Sequence, residues 1–254
     1  MTRAEIQLVR SLADKRGRTE QGLFVAEGSK LVGELLASHL RVRKVFAAGD
    51  KAEAWAAHAD RGIAVEAVAP RDMERLSLLK TPSDALAIVE IPRHRLDPAA
   101  LAGRLTLALD EVQNPGNLGT IIRLADWFGI TEILCSEGTA DCFNPKVVQA
   151  TMGAILRVRV HYTDLAAALA GARSQGLACY GTFLDGDNLY DAPLTPAGIV
   201  VMGNEGRGIT PAVAPHIDRR LLIPSWPPQR QGSESLNVAM ATGIVCAEFR
   251  RRTL

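Results

Sequence analysis

Several common protein classes are excluded by what this 254-residue chain lacks. Its 4 cysteines, at 135, 142, 179 and 246, stand apart with no C-x-x-C pair, so neither a zinc ribbon nor a disulfide framework is legible. Cys135 and Cys179 end apolar runs and read as small buried hydrophobes. The 5 histidines, at 39, 58, 94, 161 and 216, are scattered without an H-E-x-x-H pattern, and no metal is expected. There is no G-x-x-x-x-G-K-[ST], and no G-x-G-x-x-G follows the strand-like LTLALDE, which removes the main signals for nucleoside triphosphates and nicotinamide dinucleotides. The longest apolar stretches, GIVVMG and VAMATGIVCA, fall far short of the ~20 residues that span a bilayer. MTRAEIQLVRSLADKR has no apolar core of a secretory signal, so a reduced, cytoplasmic setting without a membrane partner is expected. Excess charge of either sign is missing too, the formal net charge being +1. Lysine is scarce, occurring only at 15, 30, 44, 51, 80 and 146, so most basic residues are arginine. That skew suits phosphate recognition and base stacking, and a coding bias would produce it equally.

What is present is the alternation of an α/β protein. With 47% hydrophobic residues the chain can bury one large or two modest cores. Residues 1–90 read as helix 2–14, strand LFVAEG, helix 28–38, strand VRKVFAA, a helix near 51–60, strand IAVEAVA, a short helix near 71–79 and strand ALAIVEI. IPRHRLDPAALAG breaks the pattern and reads as a linker. The alternation resumes with LTLALDE, helix 118–128, TEILC, a helix near 145–152, strand 156–161, helix 163–174, LACYGTF, GIVVMG, RRLLIP and a final helix 235–250. A largely parallel sheet covered on both faces follows from that order. Residues 1–50 carry nine basic against six acidic residues, with Arg10, Lys15, Arg16 and Arg18 close together, which would suit a substrate-contacting lobe or a solvated helix end.

Three segments put Asn, Ser, Glu and Gly where an apolar strand runs out, the place where an open α/β sheet gathers ligand groups. They are LDEVQNPGNLGTIIRLADWFGI at 109–130, MGNEGRGI at 202–209 and IPSWPPQRQGSESLNVAMATGI at 223–244. In the first, Asn114, Asn117 and Gly119 are expected in the turn, and Arg123 follows on the helix as an isolated cation among Ile121, Ile122, Leu124, Ala125 and Phe128. A cation in such surroundings needs a partner. In the second, Gly203 and Gly206 can bring backbone close to a flat ligand while Glu205 projects into the cleft. In the third, Ser235 is the expected N-cap of the last helix, with Asn237 in its first turn.

In order and spacing these segments resemble the three motifs of the SpoU/TrmH family of RNA ribose 2′-O-methyltransferases, of the SPOUT class, and the resemblance covers nearly the whole chain. It implies a knotted α/β methyltransferase domain at 104–254, preceded by a smaller L-thirty-e-like α/β domain at 1–95 that binds substrate RNA. It implies S-adenosylmethionine as cofactor and transfer of its methyl group to a ribose 2′-hydroxyl of tRNA or rRNA. Arg123, Asn117, Glu205, Ser235 and Asn237 then match catalytic positions. Thr182, Leu184, Gly203, Asn204, Gly206, Ile223 and Leu236 match positions that surround the cofactor. A homodimer is implied as well, and Val238, Ala239, Ala241, Thr242, Val245 and Cys246 would suit packing across a two-fold axis or an intramolecular core alike. The sequence departs from the family in the proline-rich loop 225–232, in Ala239 where serine is common, and in Gln149 where arginine is frequent. An RNA-binding protein of this fold without transfer activity is the main alternative. Base methylation is a closer alternative, against which the Asn/Arg and Ser-Leu-Asn motifs favour ribose, and a nicotinamide oxidoreductase is weakened by the absent dinucleotide fingerprint.

Overall fold

The computed structural model describes residues 1–56, 58, 62–227 and 235–253. They form two compact units, Met1–Arg93 with Asp141–Leu156 and His94–Ala140 with Arg157–Leu254.

The first unit starts with α1 (Arg3–Ser11), whose entry is closed by a capping box between Thr2 and Glu5. One helix over 2–14 was expected; instead the chain turns and starts α2 (Lys15–Gln21), which ends at Gly22 in the left-handed conformation (φ 64°). There follow β1 (Leu23–Glu27), α3 (Ser29–Ala37), β2 (Val42–Ala48), α4 (Asp50–Trp55), β3 (Ala64–Val68), α5 (Pro70–Leu76) and β4 (Ala85–Glu90). The helix read near 51–60 is therefore α4 at its start, and residues 57, 59 and 60 lie outside the described residues. The sheet order is β1-β4-β2-β3, with β4 antiparallel to both neighbours and β2 parallel to β3. Ile6, Val9 and Leu12 from the first helix and the turn after it meet Phe46, Leu76 and Leu86 in the core.

Arg18 belongs to that interior. Its side chain is 2% exposed, with Nε and Nη2 donating to Asp141 Oδ2 at 2.8 and 2.6 Å and Nη1 donating to the carbonyls of Leu12 and Ala13. It is thus no part of a basic RNA-facing cluster, because its donors are consumed inside the unit. Arg16, by contrast, is exposed and makes only a surface pair with Glu20.

The second unit runs β5 (Leu105–Leu109), α6 (Pro115–Trp127), β6 (Glu132–Cys135), β7 (Arg159–Tyr162), α8 (Leu165–Ser174), β8 (Cys179–Asn188), β9 (Gly198–Met202), β10 (Arg219–Leu222) and a last helix. Between β6 and β7, α7 (Pro145–Ala150) joins the first unit, where Val147 and Val148 are buried and Phe143 packs on Phe24 with ring centroids 4.8 Å apart. All five strand pairings of the six-stranded sheet, in the order β10-β8-β9-β5-β6-β7, are parallel. That is why GIVVM is apolar at every position and LTLAL at every position but Thr106: both strands are buried throughout. The last helix, α9 (Val238–Arg251), packs on α6. Its Arg250 caps the α6 C-terminus by donating from Nε to Phe128 O at 2.8 Å. Among the described residues no helix is long and apolar enough to cross a membrane.

Candidate active site

The carboxyl ends of β5 and β9 lie side by side, since Leu109 is in register with Met202, and the polar segments that follow them interlock. Asn114 caps α6 by accepting from Gly116 N at 2.8 Å and Asn117 N at 3.2 Å, with Pro115 at the first helical position. The helix thus begins earlier than expected and takes Asn117 and Gly119 out of the turn into its first two turns. From the β9 loop, Glu205 accepts from Asn117 Nδ2 at 2.9 Å, from Asn114 N at 3.2 Å and from Gln113 N at 3.4 Å. Asn237 Nδ2 in turn donates to Asn117 Oδ1 at 3.0 Å. The carboxamide at 117 accepts from one neighbour through its oxygen and donates to the other through its nitrogen. Burial pushes the Glu205 carboxyl up, but the bonds from Asn117 and the Asn114 and Gln113 amides outweigh it and hold the group below the usual carboxylate range.

Asn237, not Ser235, is the N-cap of α9, accepting from Ala239 N at 3.0 Å and Met240 N at 3.3 Å. Ser235 is exposed in the segment before it, so its expected capping role passes to the residue two positions on. Arg123 also sits in other surroundings than its neighbours suggest. Ile121, Ile122 and Ala125 are buried, which turns Arg123 to the exposed side of α6 with Thr120 and Trp127. Among the described residues no hydrogen bond or ion pair engages Arg123. Its charge stands in water, ready for a ligand, rather than demanding a partner through burial.

Two of the residues matched to the cofactor lie where β8 leaves β9. The two strands pair only from Cys179 to Gly181, and β8 meets β10 again at Asp187 after a register shift, so residues 182–186 form an excursion. Thr182 and Leu184 are part of it; Leu184 is 68% exposed, and Thr182 Oγ1 donates to Met202 Sδ at 3.9 Å. Ile223 is half-buried after β10, and Leu236 is 54% exposed. Asn204 closes the β9 loop, accepting from Gly206 N at 3.0 Å and Arg207 N at 3.1 Å while donating to Glu111 O at 2.8 Å. Of the proline-rich loop, residues 225–227 are exposed, Trp226 at 81%, and residues 228–234 lie outside the described residues.

Gly203 has a packing reason to be glycine within its own loop. A Cβ there would lie 2.3 Å from Gly208 C and 2.3 Å from Ile209 N, backbone atoms of its own loop. Gly203→Val should therefore spread the loop and remove Glu205 from Asn117, with a stability loss of about 1–3 kcal/mol from overpacking. Thermal melting and isothermal titration with S-adenosylmethionine would check this; an unchanged melting point would refute the clash.

Three site residues were not legible as such. Asp110, buried at the end of β5, accepts from Thr210 N at 2.7 Å; Glu111 follows with φ 57°; and Arg207 donates to Glu111 Oε2 at 2.6 Å. The only sequence signal was a pair of carboxylates directly after an apolar strand.

Comparison with known proteins gives the family. The model of the SpoU rRNA Methylase family matches residues 104–247, and that of the MRM3-like substrate binding domain matches residues 3–87. The chain is 30% identical to the 23S rRNA (guanosine(2553)-2'-O)-methyltransferase RlmP of Bacillus subtilis, over 95% of this chain and 94% of the relative. Among solved structures, a TrmH-family protein from Porphyromonas gingivalis is 42% identical with a TM-score of 0.85, covering 99% of both chains. The AdoMet-bound rRNA methyltransferase from Sinorhizobium meliloti is 30% identical with a TM-score of 0.88, covering 100% of this chain and 97% of that one.

Proposed function

Because the chain belongs to the SpoU rRNA methylase family, we propose that it transfers a methyl group from S-adenosylmethionine to a ribose 2′-hydroxyl of rRNA or tRNA. The observation that carries the reading is the Asn237–Asn117–Glu205 line after β5 and β9, with Arg123, which is engaged by nothing among the described residues, on the same helix as Asn117. In this assignment the three motifs serve one site.

The cofactor fits the residues present. Leu184 and Leu236 expose apolar surface near the strand ends, as an adenine ring requires, and the backbone at Gly203–Gly206, Ile223 and Leu236 offers polar groups beside it. Bound there, S-adenosylmethionine supplies an electrophilic sulfonium methyl. The chain's own work is to hold a ribose hydroxyl in line with it, since alignment alone removes several kcal/mol of barrier. Arg123 has five fixed donors and cannot be deprotonated, so its task is to orient the substrate phosphate and balance its charge, not to act as a base. Asn117 and Asn237 present the polar edge against which the ribose sits. Glu205 keeps Asn117 in its orientation and stays anionic through mildly acidic pH. Ser235, exposed beside Leu236, completes the polar rim.

The domain at 1–95 supplies RNA affinity, a reading supported by its substrate-binding match and the exposed Arg16, and the domain at 104–254 carries the chemistry. The protein works in the cytoplasm as a homodimer. Val238, Ala239, Thr242, Val245 and Cys246 are buried within one chain and cannot form the dimer face. The exposed side of α6 and α9 offers Trp127, at 84%, and Met240, at 63%, with Gly243 and Ile244 half-buried beside Met240. Sedimentation equilibrium tests that state; a monomer at all concentrations rejects it.

The decisive experiment is methyl incorporation from labelled S-adenosylmethionine into deproteinised rRNA and tRNA from cells lacking the protein, with ribose mapping of the product. Cofactor binding without incorporation would favour the non-catalytic RNA-binding reading. Glu205→Gln, which keeps the shape but not the charge, should slow transfer about ten-fold at neutral pH, the loss of roughly 1.4 kcal/mol. The wild type should keep full Glu205 function until the pH falls below the ordinary carboxylate pKa of about 4.3, because the folded group titrates lower still. An acid limb that Glu205→Gln abolishes near neutrality would contradict that.

A further inference from the structure

Glu111 holds a backbone conformation that glycine would adopt without strain. Its φ of 57° is in the left-handed region, where a side chain is disfavoured, so keeping one there implies that the side chain is used. Each of its polar groups is engaged within the second unit. The amide donates to Ser136 Oγ at 2.8 Å, the carbonyl accepts from Asn204 Nδ2 at 2.8 Å, and Oε2 accepts from Arg207 Nη2 at 2.6 Å. Gly138 leaves room for the side chain, since a Cβ at 138 would come within 3.1 Å of Glu111 Cγ.

Two of these bonds reach the residues on either side of Glu205, whose carboxylate holds Asn117. Asn204 precedes it directly, and Arg207 follows two positions later with its own amide on Asn204 Oδ1 at 3.1 Å. A carboxylate on a short glycine-rich loop would otherwise sweep through many orientations, because Gly206 and Gly208 resist little. We infer that the Glu111–Arg207 ion pair is a positioning device: it ties the turn 204–208 to the end of β5 so that Glu205 stays on Asn117 and the Asn117–Asn237 line keeps its aim. The inference rests on the proposed role of Glu205 and Asn117 in transfer. Arg207 is 68% exposed and the Glu111 side chain 29%, and an ion pair in such surroundings adds little to global stability. Its removal loosens the turn without unfolding the domain, so the effect belongs in the rate at saturating substrate.

The test uses the full chain and single-turnover transfer to deproteinised rRNA and tRNA lacking the modification, beside RNA affinity, cofactor affinity and melting temperature. Glu111→Gly removes the carboxylate while relieving the backbone, so misfolding does not confuse it. Glu111→Gly and Arg207→Ala should each lower the maximal rate about ten-fold, with melting temperature and RNA affinity nearly unchanged. The double variant should be no slower than either single one, and the exchanged pair Glu111→Arg with Arg207→Glu should recover a large part of the loss, as coupled residues do. A wild-type rate for Glu111→Gly would overturn the inference. So would an exchanged pair no faster than the single variants, or an Arg207→Ala defect confined to RNA affinity with a shallower salt dependence, which would make Arg207 a phosphate contact. If Glu205→Gln is also fully active, the reading of the site fails. If Glu205→Gln is slow while Glu111→Gly is not, the positioning role alone fails.

Discussion

Arg123→Ala should bind S-adenosylmethionine almost normally and lose methyl transfer by a hundred-fold or more, on the order of what removal of one preorganised donor costs other enzymes. The expectation follows from exposure. Because Arg123 is engaged by nothing among the described residues, its loss leaves no buried group unpaired and α6 intact: Ile121, Ile122 and Ala125 still fill the core beneath it. A rate loss without a stability loss would then come from an interaction outside the folded chain, as the proposed grip on substrate requires. Arg123→Lys retains the charge but not the planar fork, so it should recover only a small part of the rate if two oxygens are gripped at once. Single-turnover transfer on the true RNA, beside cofactor titration, reads both quantities. Near-normal transfer by Arg123→Ala would remove this arginine from the mechanism.

Arg18→Ala is expected to have the largest effect on stability. It would leave Asp141 without its cation and free the carbonyls of Leu12 and Ala13 inside the first unit. Breaking a buried pair from one side costs about 3–5 kcal/mol, a large share of the total for an ordinary domain. The sequence separation adds to the consequence, because the bond ties the turn after α1 to residue 141 and with it the segment that carries Phe143, Val147 and Val148. Arg18→Met combined with Asp141→Leu should recover only part of the loss, since it removes the unpaired carboxylate but leaves the Leu12 and Ala13 carbonyls and the Phe143 amide without these partners. Urea unfolding would measure it; a shift under 1 kcal/mol for Arg18→Ala would mean that water reaches the pair. A chain lacking residues 1–95 would for the same reason expose the apolar side of α7.

Local patterns alone determined the order of strands and helices, because a buried parallel strand such as GIVVM leaves no other reading and an Asn-Pro or Asn/Gly turn marks a helix start. They placed Asn117, Glu205 and Asn237 where apolar strands run out, and the family resemblance gave them a role. Only the tertiary structure decided which of two like residues takes a role. Ser235 and Asn237 are both good caps, and the choice fell to the one whose amide also reaches Asn117. Arg16 and Arg18 are both arginines near a helix start, yet one faces water and the other is enclosed by groups 5, 6 and 123 residues away. Glu111 and Arg207 are 96 residues apart and became partners only when β5 and β9 paired. Sequence patterns report what a residue can bond and which face it shares; which partner it finds depends on long-range chain closure, and neither spacing nor residue type encodes that at a single position.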